Sequence, residues 1–488
     1  MLTKPDRLQH RDIEWRELSE FAASKVRGAT LGLVYGRRRQ GKTLMLELLA
    51  RQSAGFFFGA TMQSEAQSLA DLGRSLSLHN GLGSPLALAS WRDALDEMFR
   101  LGEQRPTTVV IDEFPYLASV TPALPSYLQQ ALSPTGYAKE QSQTRLILCG
   151  SALTIMGQLL GGGAPLRGRA SLELVVRPFG FREAAAFWGF TDPELAFRVH
   201  ALVGGTPAYL EMSGGEGPND RESFDSWVVR RLLNPASAMF REGGLLLREE
   251  PSITDPVSYA AVLTALSAGR ARRSEIAADL GRPATAISHL LDGLVGIGLV
   301  QRVEDALRER RAVYRLAEPV VRLYQLLIQR HEAEIVVGRA ADVWARNADT
   351  IQSKIYGPHF EDLAREWCLA HAASETLGGV PAQVRPTQIG CPEHKQGHEI
   401  DVVVWEARSG QKDRIIAIGE AKATAEQVSQ AVIDRLDHLR SLLPASASDE
   451  PPRLLVFSRS GFSAAVTAAA AKRTDLELID MIRLYTGS

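Results

Sequence analysis

The sequence predicts a multi-module protein of the α/β class, and three patterns carry that prediction. An apolar run, Leu31-Gly32-Leu33-Val34-Tyr35, leads into Gly36-Arg37-Arg38-Arg39-Gln40-Gly41-Lys42-Thr43 and then into the helix-like Leu44-Met45-Leu46-Glu47-Leu48-Leu49-Ala50. A second run, Thr107-Thr108-Val109-Val110-Ile111, ends on Asp112-Glu113, and a third, Arg145-Leu146-Ile147-Leu148-Cys149, ends on Gly150-Ser151. Short continuous apolar runs of this kind are the pattern of a buried parallel sheet. Much later, residues 398–406 and 414–422 read as two further strands across the turn Ser409-Gly410-Gln411-Lys412. At 488 residues the chain has room for about three domains.

The first element is the pattern G-x-x-x-x-G-K-T between a strand and a helix, the order a phosphate-binding loop requires. Gly36 and Gly41 let the loop wrap tightly, so the backbone N–H groups of Arg37, Arg38, Arg39 and Gln40 can face phosphate oxygens. Lys42 is placed to reach the β- and γ-phosphates of ATP, and Thr43 to ligate Mg²⁺. Such a loop needs an acidic partner, and Asp112 and Glu113 stand where α/β sheets present ligand groups, at the carboxyl end of a strand. Asp112 is expected to hold Mg²⁺ and Glu113 to orient and polarise the attacking water. Ser151 can hydrogen-bond the γ-phosphate or that water, and Cys149 reads as core packing.

These residues, with Phe114-Pro115-Tyr116, Leu166-Arg167-Gly168-Arg169, Arg177-Pro178-Phe179 and Gly204-Gly205-Thr206-Pro207-Ala208-Tyr209-Leu210, make the first half of the chain resemble an AAA+-type ATPase of the archaeal and prokaryotic ATPase family. The resemblance implies an ATPase core over residues 1–180 and a helical lid over 181–255. It also implies that Arg167 or Arg169 acts as an arginine finger on a neighbour's nucleotide, and hence a homo-oligomer.

Residues 256–335 read differently. Helix-like runs at 257–266, 274–280 and 285–294 are followed by strands at 299–303 and 312–316, joined by a link with Arg308-Glu309-Arg310-Arg311. Ile287, Leu290, Leu291 and Leu294 fall on one helical face, leaving Thr285, Ser288 and His289 off it. The order resembles a winged helix, which implies DNA contact through the last helix and the hairpin.

In the remaining segment, 336–488, a hairpin centred between Gly410 and Gln411 puts Asp401 opposite Glu420, with Lys422 on the same face. Two carboxylates and an ammonium at one sheet end suit Mg²⁺ or Mn²⁺ and phosphodiester cleavage. Glu-Ile-Asp followed by Glu-x-Lys resembles the restriction-endonuclease-like PD-(D/E)xK fold. That resemblance implies a preceding helix bearing Glu361, a following helix over 425–443 with Gln427 and Gln430, and the order α-β-β-β-α-β. Within that fold, Glu-Ile-Asp departs from the Pro-Asp form of the signature.

A net charge of −2 gives no global argument for nucleic acid, so DNA binding must rest on local groups. No apolar run of membrane-spanning length and no apolar leader core are present, and three cysteines make no disulfide framework, so the expected setting is cytoplasmic. Two C-x-x-H pairs, Cys368/His371 and Cys391/His394, could in principle furnish zinc ligands, but without a second thiol pair they read as packing and solvated side chains. The expected activity is an ATPase acting on DNA with a metal-dependent nuclease domain. The competing expectation is a nucleotide-dependent switch or scaffold whose nuclease-like domain is inactive.

Overall fold

The computed structural model describes residues 2–308 and 311–488, so Glu309 and Arg310 of the basic link lie outside the described residues. The chain forms two compact units. The first comprises residues up to Pro178 with Thr206–Ala208 and Glu250–Thr254, and the second comprises the rest.

In the first unit every position of β1 (Thr30–Tyr35), β3 (Thr107–Asp112) and β4 (Thr144–Gly150) is buried. Strands covered on both faces lose no backbone polar group to water only if each is paired on both sides, and a central place in a parallel sheet provides that. With β2 (Phe56–Gly59) and β5 (Ala170–Val175) they form one five-stranded parallel sheet in the order β2-β3-β4-β1-β5. The edge strand β5 instead alternates between half-buried and exposed positions. Helix α1 (Lys42–Gln52) starts at Gly41, whose φ of 81° suits glycine. Helix α2 (Glu65–His79) opens on a capping box between Ser64 and Gln67. Helix α3 (Trp91–Arg100), capped by Ser90, buries Trp91, Leu95, Met98 and Phe99. The strand order is what matters for the site: β4 lies between β1 and β3, so the carboxyl ends of the three strands sit side by side.

In the second unit, residues 179–205 and 209–249 carry helices joined by turns, including α4 (Pro193–Val203) and α5 (Ala238–Arg248). Then come α6 (Pro256–Ser267), α7 (Arg273–Asp279) and α8 (Ala284–Gly296), followed by the antiparallel hairpin of β6 (Val300–Glu304) and β7 (Ala312–Leu316). Helix α8 buries Ile287, Leu290, Leu291 and Leu294, as its periodicity predicts, and leaves Thr285 and His289 exposed.

Helix α9 (Gly357–Ala370) precedes a mixed sheet of β8 (Gln383–Cys391), β9 (Gln396–Glu406), β10 (Arg414–Lys422), β11 (Arg453–Ser458) and β12 (Leu476–Ile479). Its order is β12-β11-β10-β9-β8, antiparallel across β8-β9-β10 and parallel from β10 onward. Helix α10 (Gln430–Ser441) crosses between β10 and β11 and sends Ile433, Leu436 and Leu439 into the core beside Ile400, Val403 and Ile418. It is shorter than the expected 425–443. Val428 pairs with Phe462 as an isolated bridge and donates its N–H to Gly461 O at 3.0 Å, which holds the chain extended before the helix. Asp480 caps the final helix by accepting from Arg483 N at 2.7 Å.

Candidate functional site

The side chains that the sequence singles out for ATP and phosphodiester chemistry gather in two clusters, one in each unit.

In the first unit the loop after β1 wraps over the start of α1. Gly36 has a φ of 159°, and a Cβ there would lie 2.2 Å from Val176 O, so no larger residue fits. Lys42 is buried, and its Nζ donates to Gly36 O at 2.8 Å and Arg37 O at 2.7 Å, which folds the ammonium onto the loop's own carbonyls. Burial pulls its pKa down from the usual lysine range. Thr43 Oγ1 donates to Asp112 Oδ2 at 2.6 Å, joining the two expected cation ligands from β3 and α1 directly. Glu113 takes a left-handed conformation with φ 52°, which costs on the order of 1–3 kcal/mol for a non-glycine residue. The turn aims its carboxylate at Ser151, whose Oγ donates to Glu113 Oε1 at 2.6 Å, while Glu113 N donates to Asp112 Oδ1 at 2.9 Å. Thr43, Asp112, Glu113 and Ser151 therefore make one hydrogen-bonded chain across three adjacent strand ends, and the Lys42 ammonium, held on the loop carbonyls, feels the charges of Glu113 and Asp112. Burial, with Asp112 beside it, pushes the Cys149 thiol well above its usual range, in keeping with a packing role.

The rest of the loop is tied down locally. Arg38 Nη2 donates to Tyr116 Oη at 2.9 Å, and Gln40 Nε2 donates to Thr206 Oγ1 at 3.0 Å. Arg39 has a φ of 68°, and its carbonyl accepts from Ala208 N at 3.4 Å. The segment Thr206–Ala208 thus folds back onto the loop. Of the two finger candidates, Arg167 is exposed, whereas Arg169 Nη1 donates to Leu132 O at 3.0 Å.

In the second unit the register of β9 and β10 decides the site. Next to the turn, Arg414 pairs with Glu406 and Ile415 with Trp405, one residue away from the expected register. A bulge between Ile415 and Ala417 restores it, giving Ala417 with Val404, Ile418 with Val403 and Gly419 with Val402. Asp401 and Glu420 are the next residues of β9 and β10 beyond the last of these pairs, and the charge of Glu420 acts on Asp401. Asp401 Oδ2 accepts from Ala421 N at 2.9 Å, and Arg365 Nη1 donates to Asp401 O at 2.8 Å. Lys422 Nζ meets Glu420 Oε1 at 2.5 Å, and Arg435 on α10 pairs with the other Glu420 oxygen. Glu361 on α9 accepts from Arg315 Nη1 of β7 at 2.9 Å.

Burial, then the charges of Glu420 and Glu361, push Asp401 up to about 8. Burial also raises Glu361. Three carboxylates from α9, β9 and β10 are thus crowded into one poorly solvated corner, with Asp401 the member that lacks a cationic side-chain partner among its hydrogen bonds. All-oxygen donors suit a hard divalent cation, so the donor set fits Mg²⁺ or Mn²⁺ once the cationic partners of Glu361 and Glu420 give way. Gln430 stays apart, donating to Asp434 Oδ1 at 3.0 Å.

No family model matches the chain. An uncharacterized protein of Methanocaldococcus jannaschii is 22% identical over 341 residues, covering 69% of this chain and 72% of that one. Among solved structures, a Walker-type ATPase of Pyrococcus abyssi superposes with a TM-score of 0.49 at 20% identity, over 66% of this chain and 97% of that chain. The ORC2 protein of Aeropyrum pernix superposes with a TM-score of 0.43 at 15% identity, over 68% of this chain and 97% of that chain. Likenesses this distant place the chain in no family. No helix among the described residues is long and apolar enough to cross a membrane.

Sequence reasoning missed three arginines at the second cluster. Arg315, Arg365 and Arg435 lie on β7, α9 and α10, and only packing brings them to Glu361, Asp401 and Glu420. Arg365 carried a signal, four residues after Glu361 on the same helix face. The other two had none. The hairpin link is also committed: Asp305 Oδ1 accepts from Thr387 Oγ1 at 2.7 Å, and Ala306 N donates to Pro386 O at 2.9 Å. The sequence pictured this hairpin as a wing touching DNA phosphate; here Asp305 and Ala306, at the start of its link, bond to β8.

Proposed function

We propose that this chain binds and hydrolyses ATP and acts on DNA, and that its C-terminal module is a metal-dependent phosphodiester-cleaving domain. The observation that carries the ATP reading is the hydrogen-bonded chain of Thr43, Asp112, Glu113 and Ser151 at three adjacent strand ends, beside a phosphate-type loop that holds the Lys42 ammonium on its carbonyls. In this reading Lys42 leaves the loop carbonyls for the β- and γ-phosphates, and the loop's backbone N–H groups cradle them. Glu113 accepts a proton from the attacking water, and Ser151, already bonded to Glu113, holds that carboxylate in line. Thr43 and Asp112 would hold Mg²⁺ at the first site and Asp401 and Glu420 a Mg²⁺ or Mn²⁺ at the second, each cation drawing charge from the phosphate under attack. At the second site Lys422 steadies the attacking water or the phosphate, and Glu361 completes the carboxylate set.

DNA would be read through α8, where Thr285 and His289 are exposed beside the half-buried Ser288. Arg167 of a neighbouring copy would complete the ATP site in a homo-oligomer, with Arg169 the less available candidate because of its bond to Leu132 O. The ATPase core, lid, winged-helix and nuclease-like readings of the modules belong to this proposal.

A second reading is a nucleotide-dependent switch whose nuclease-like module does not cut. The ion pairs of Arg315 with Glu361, and of Lys422 and Arg435 with Glu420, favour it, because they occupy the carboxylates that a cation would need. Purified protein with Mg²⁺ or Mn²⁺, with and without ATP, separates the two. Cleavage that Asp401→Ala eliminates while ATP hydrolysis persists supports the first reading, and no cleavage of any DNA or RNA leaves only the switch. Lys42→Ala is expected to abolish ATP binding, and unchanged affinity would overturn the phosphate-loop assignment.

A further inference from the structure

At the far end of the β8–β9 hairpin lies a cluster that the ATP and cleavage chemistry does not use. Cys391 closes β8, His394 sits in the turn, His398 lies on β9, and His438 comes from the last turns of α10. The chain brings them together for plain geometric reasons. Cys391 pairs with Gln396 across the hairpin, and His398, two residues further along β9, shares the face of Gln396. Lys395 adopts a left-handed conformation with φ 51°, which turns His394 back over Cys391, so that His394 N donates to Cys391 Sγ at 3.4 Å. Helix α10 buries Leu436 and Leu439 against the sheet, and this packing delivers His438 to the same point.

The ligand atoms all lie within 4.8 Å of one another. Cys391 Sγ is 3.2 Å from His394 Nδ1 and 3.3 Å from His438 Nε2, and His398 Nε2 is 3.3 Å from His394 Nδ1. A tetrahedral zinc ion with Zn–N of about 2.0–2.1 Å and Zn–S of about 2.3 Å sets its ligands about 3.3–3.6 Å apart. The nitrogen–nitrogen edge lies within that range, and the two sulfur–nitrogen edges, 3.2 and 3.3 Å, lie at or just below its lower end, so the sulfur moves out slightly as the ion seats. Sulfur and imidazole donors in a tetrahedron select zinc over magnesium, calcium or manganese, which prefer oxygen. The neighbouring carboxylate cluster is the opposite case, so the two sites sort different metals.

We propose that Cys391, His394, His398 and His438 form a structural zinc(II) site. Four protein ligands fill the coordination sphere, so the site is closed and does no chemistry on substrate. Its work is mechanical. It staples the β8–β9 turn to α10, three residues after Arg435, whose Nη1 pairs with Glu420 and whose Nη2 donates to Glu399 O at 2.8 Å. The proposal does not depend on the cleavage reading, since a zinc staple would hold an inactive domain equally well.

The test uses the full-length protein purified from zinc-supplemented cells. Elemental analysis is expected to find a single tightly held zinc ion per chain. After chelation, cobalt(II) added in its place is expected to give the intense visible bands of a tetrahedral ion and a thiolate charge-transfer band. Cys391→Ser and His438→Ala should each lose the metal and those bands, while Cys368→Ser, at a buried cysteine outside the cluster, should keep both. Because Cys391 is itself buried, the exposed His394→Asn gives a milder check, with zinc affinity expected to fall at least about 10-fold. A chelator should lower the melting temperature of the wild type and leave that of Cys391→Ser unchanged. Wild-type protein without stoichiometric zinc and with only octahedral cobalt would overturn the proposal. So would a metal that survives Cys391→Ser and is lost in Asp401→Ala, which would place it on the carboxylates.

Discussion

His200 on α4 and His359 on α9 face each other inside the second unit, Nδ1 to Nε2 at 2.9 Å. Burial pulls His200 down to about 4 and His359 well below its usual value. Both are therefore neutral in the folded chain and free to take protons once it unfolds. The contribution is fully present above the unfolded pKa of about 6.5 and is lost as pH falls from there toward 4. For His200 alone the loss reaches about 3 kcal/mol at the acid end, at ~1.4 kcal/mol per pKa unit. Urea midpoints taken between about pH 7.5 and 4.5 should fall steeply in the wild type and less in His359→Phe. At the same scale, Glu113→Gln should keep ATP binding and lose hydrolysis by about 10²–10⁴-fold, read as nucleotide retention against phosphate release. Glu113, Asp112 and Ser151 were legible from the sequence because each ends an apolar strand, and strand ends are where α/β sheets collect ligand groups. His398 and His438 were not: His438 is 47 residues from Cys391, and no periodicity links a β-turn to the end of a later helix.

Among the elements, β7 has the least expected role. The sequence places it in a hairpin aimed at nucleic acid, yet its Arg315 reaches Glu361 at 2.9 Å and lies 3.7 Å from both Asp362 and Glu399. Removing one partner of a buried charge network leaves the others uncompensated, at a cost of about 3–5 kcal/mol for a fully buried pair and less for these partly exposed groups. Arg315→Ala is expected to destabilise the cation-free protein and to tighten Mn²⁺ binding at the carboxylates, and to speed cleavage if the domain cuts. Calorimetric titration with Mn²⁺ checks this, and weaker binding than wild type would show that Arg315 supports the site rather than blocking it. The strands named from the sequence at residues 31–35, 107–111, 145–149, 299–303, 312–316, 398–406 and 414–422 were readable within a few residues because apolar periodicity is local, whereas β2, β5 and β8 were not placed. The docking of β7 against α9 was not, since an arginine on a strand carries no mark of which carboxylate it will meet.

Taken whole, the chain keeps its two candidate sites in separate compact units, each with its own sheet and core. In the proposed reading, the bond of Arg169 to Leu132 O leaves the exposed Arg167 as the finger candidate for a neighbouring copy. Arg167→Ala and Lys42→Ala proteins are each expected to be inactive alone. Mixed, they should recover ATP hydrolysis, because a Lys42→Ala copy can lend its Arg167 to a neighbour's intact loop. A mixture as inactive as its components would place the finger within one copy.

The bulge between Ile415 and Ala417 has a consequence for how the carboxylate site tolerates change. It works as a slip coupling: on its outer side the strands follow the turn, and on its inner side they follow the packing of Val402, Val403 and Ile418. A residue gained or lost at Gly410 can be absorbed there without rotating Asp401 away from Glu420. Peptide insertions at that tip should therefore leave the carboxylate geometry, and any cation it binds, untouched.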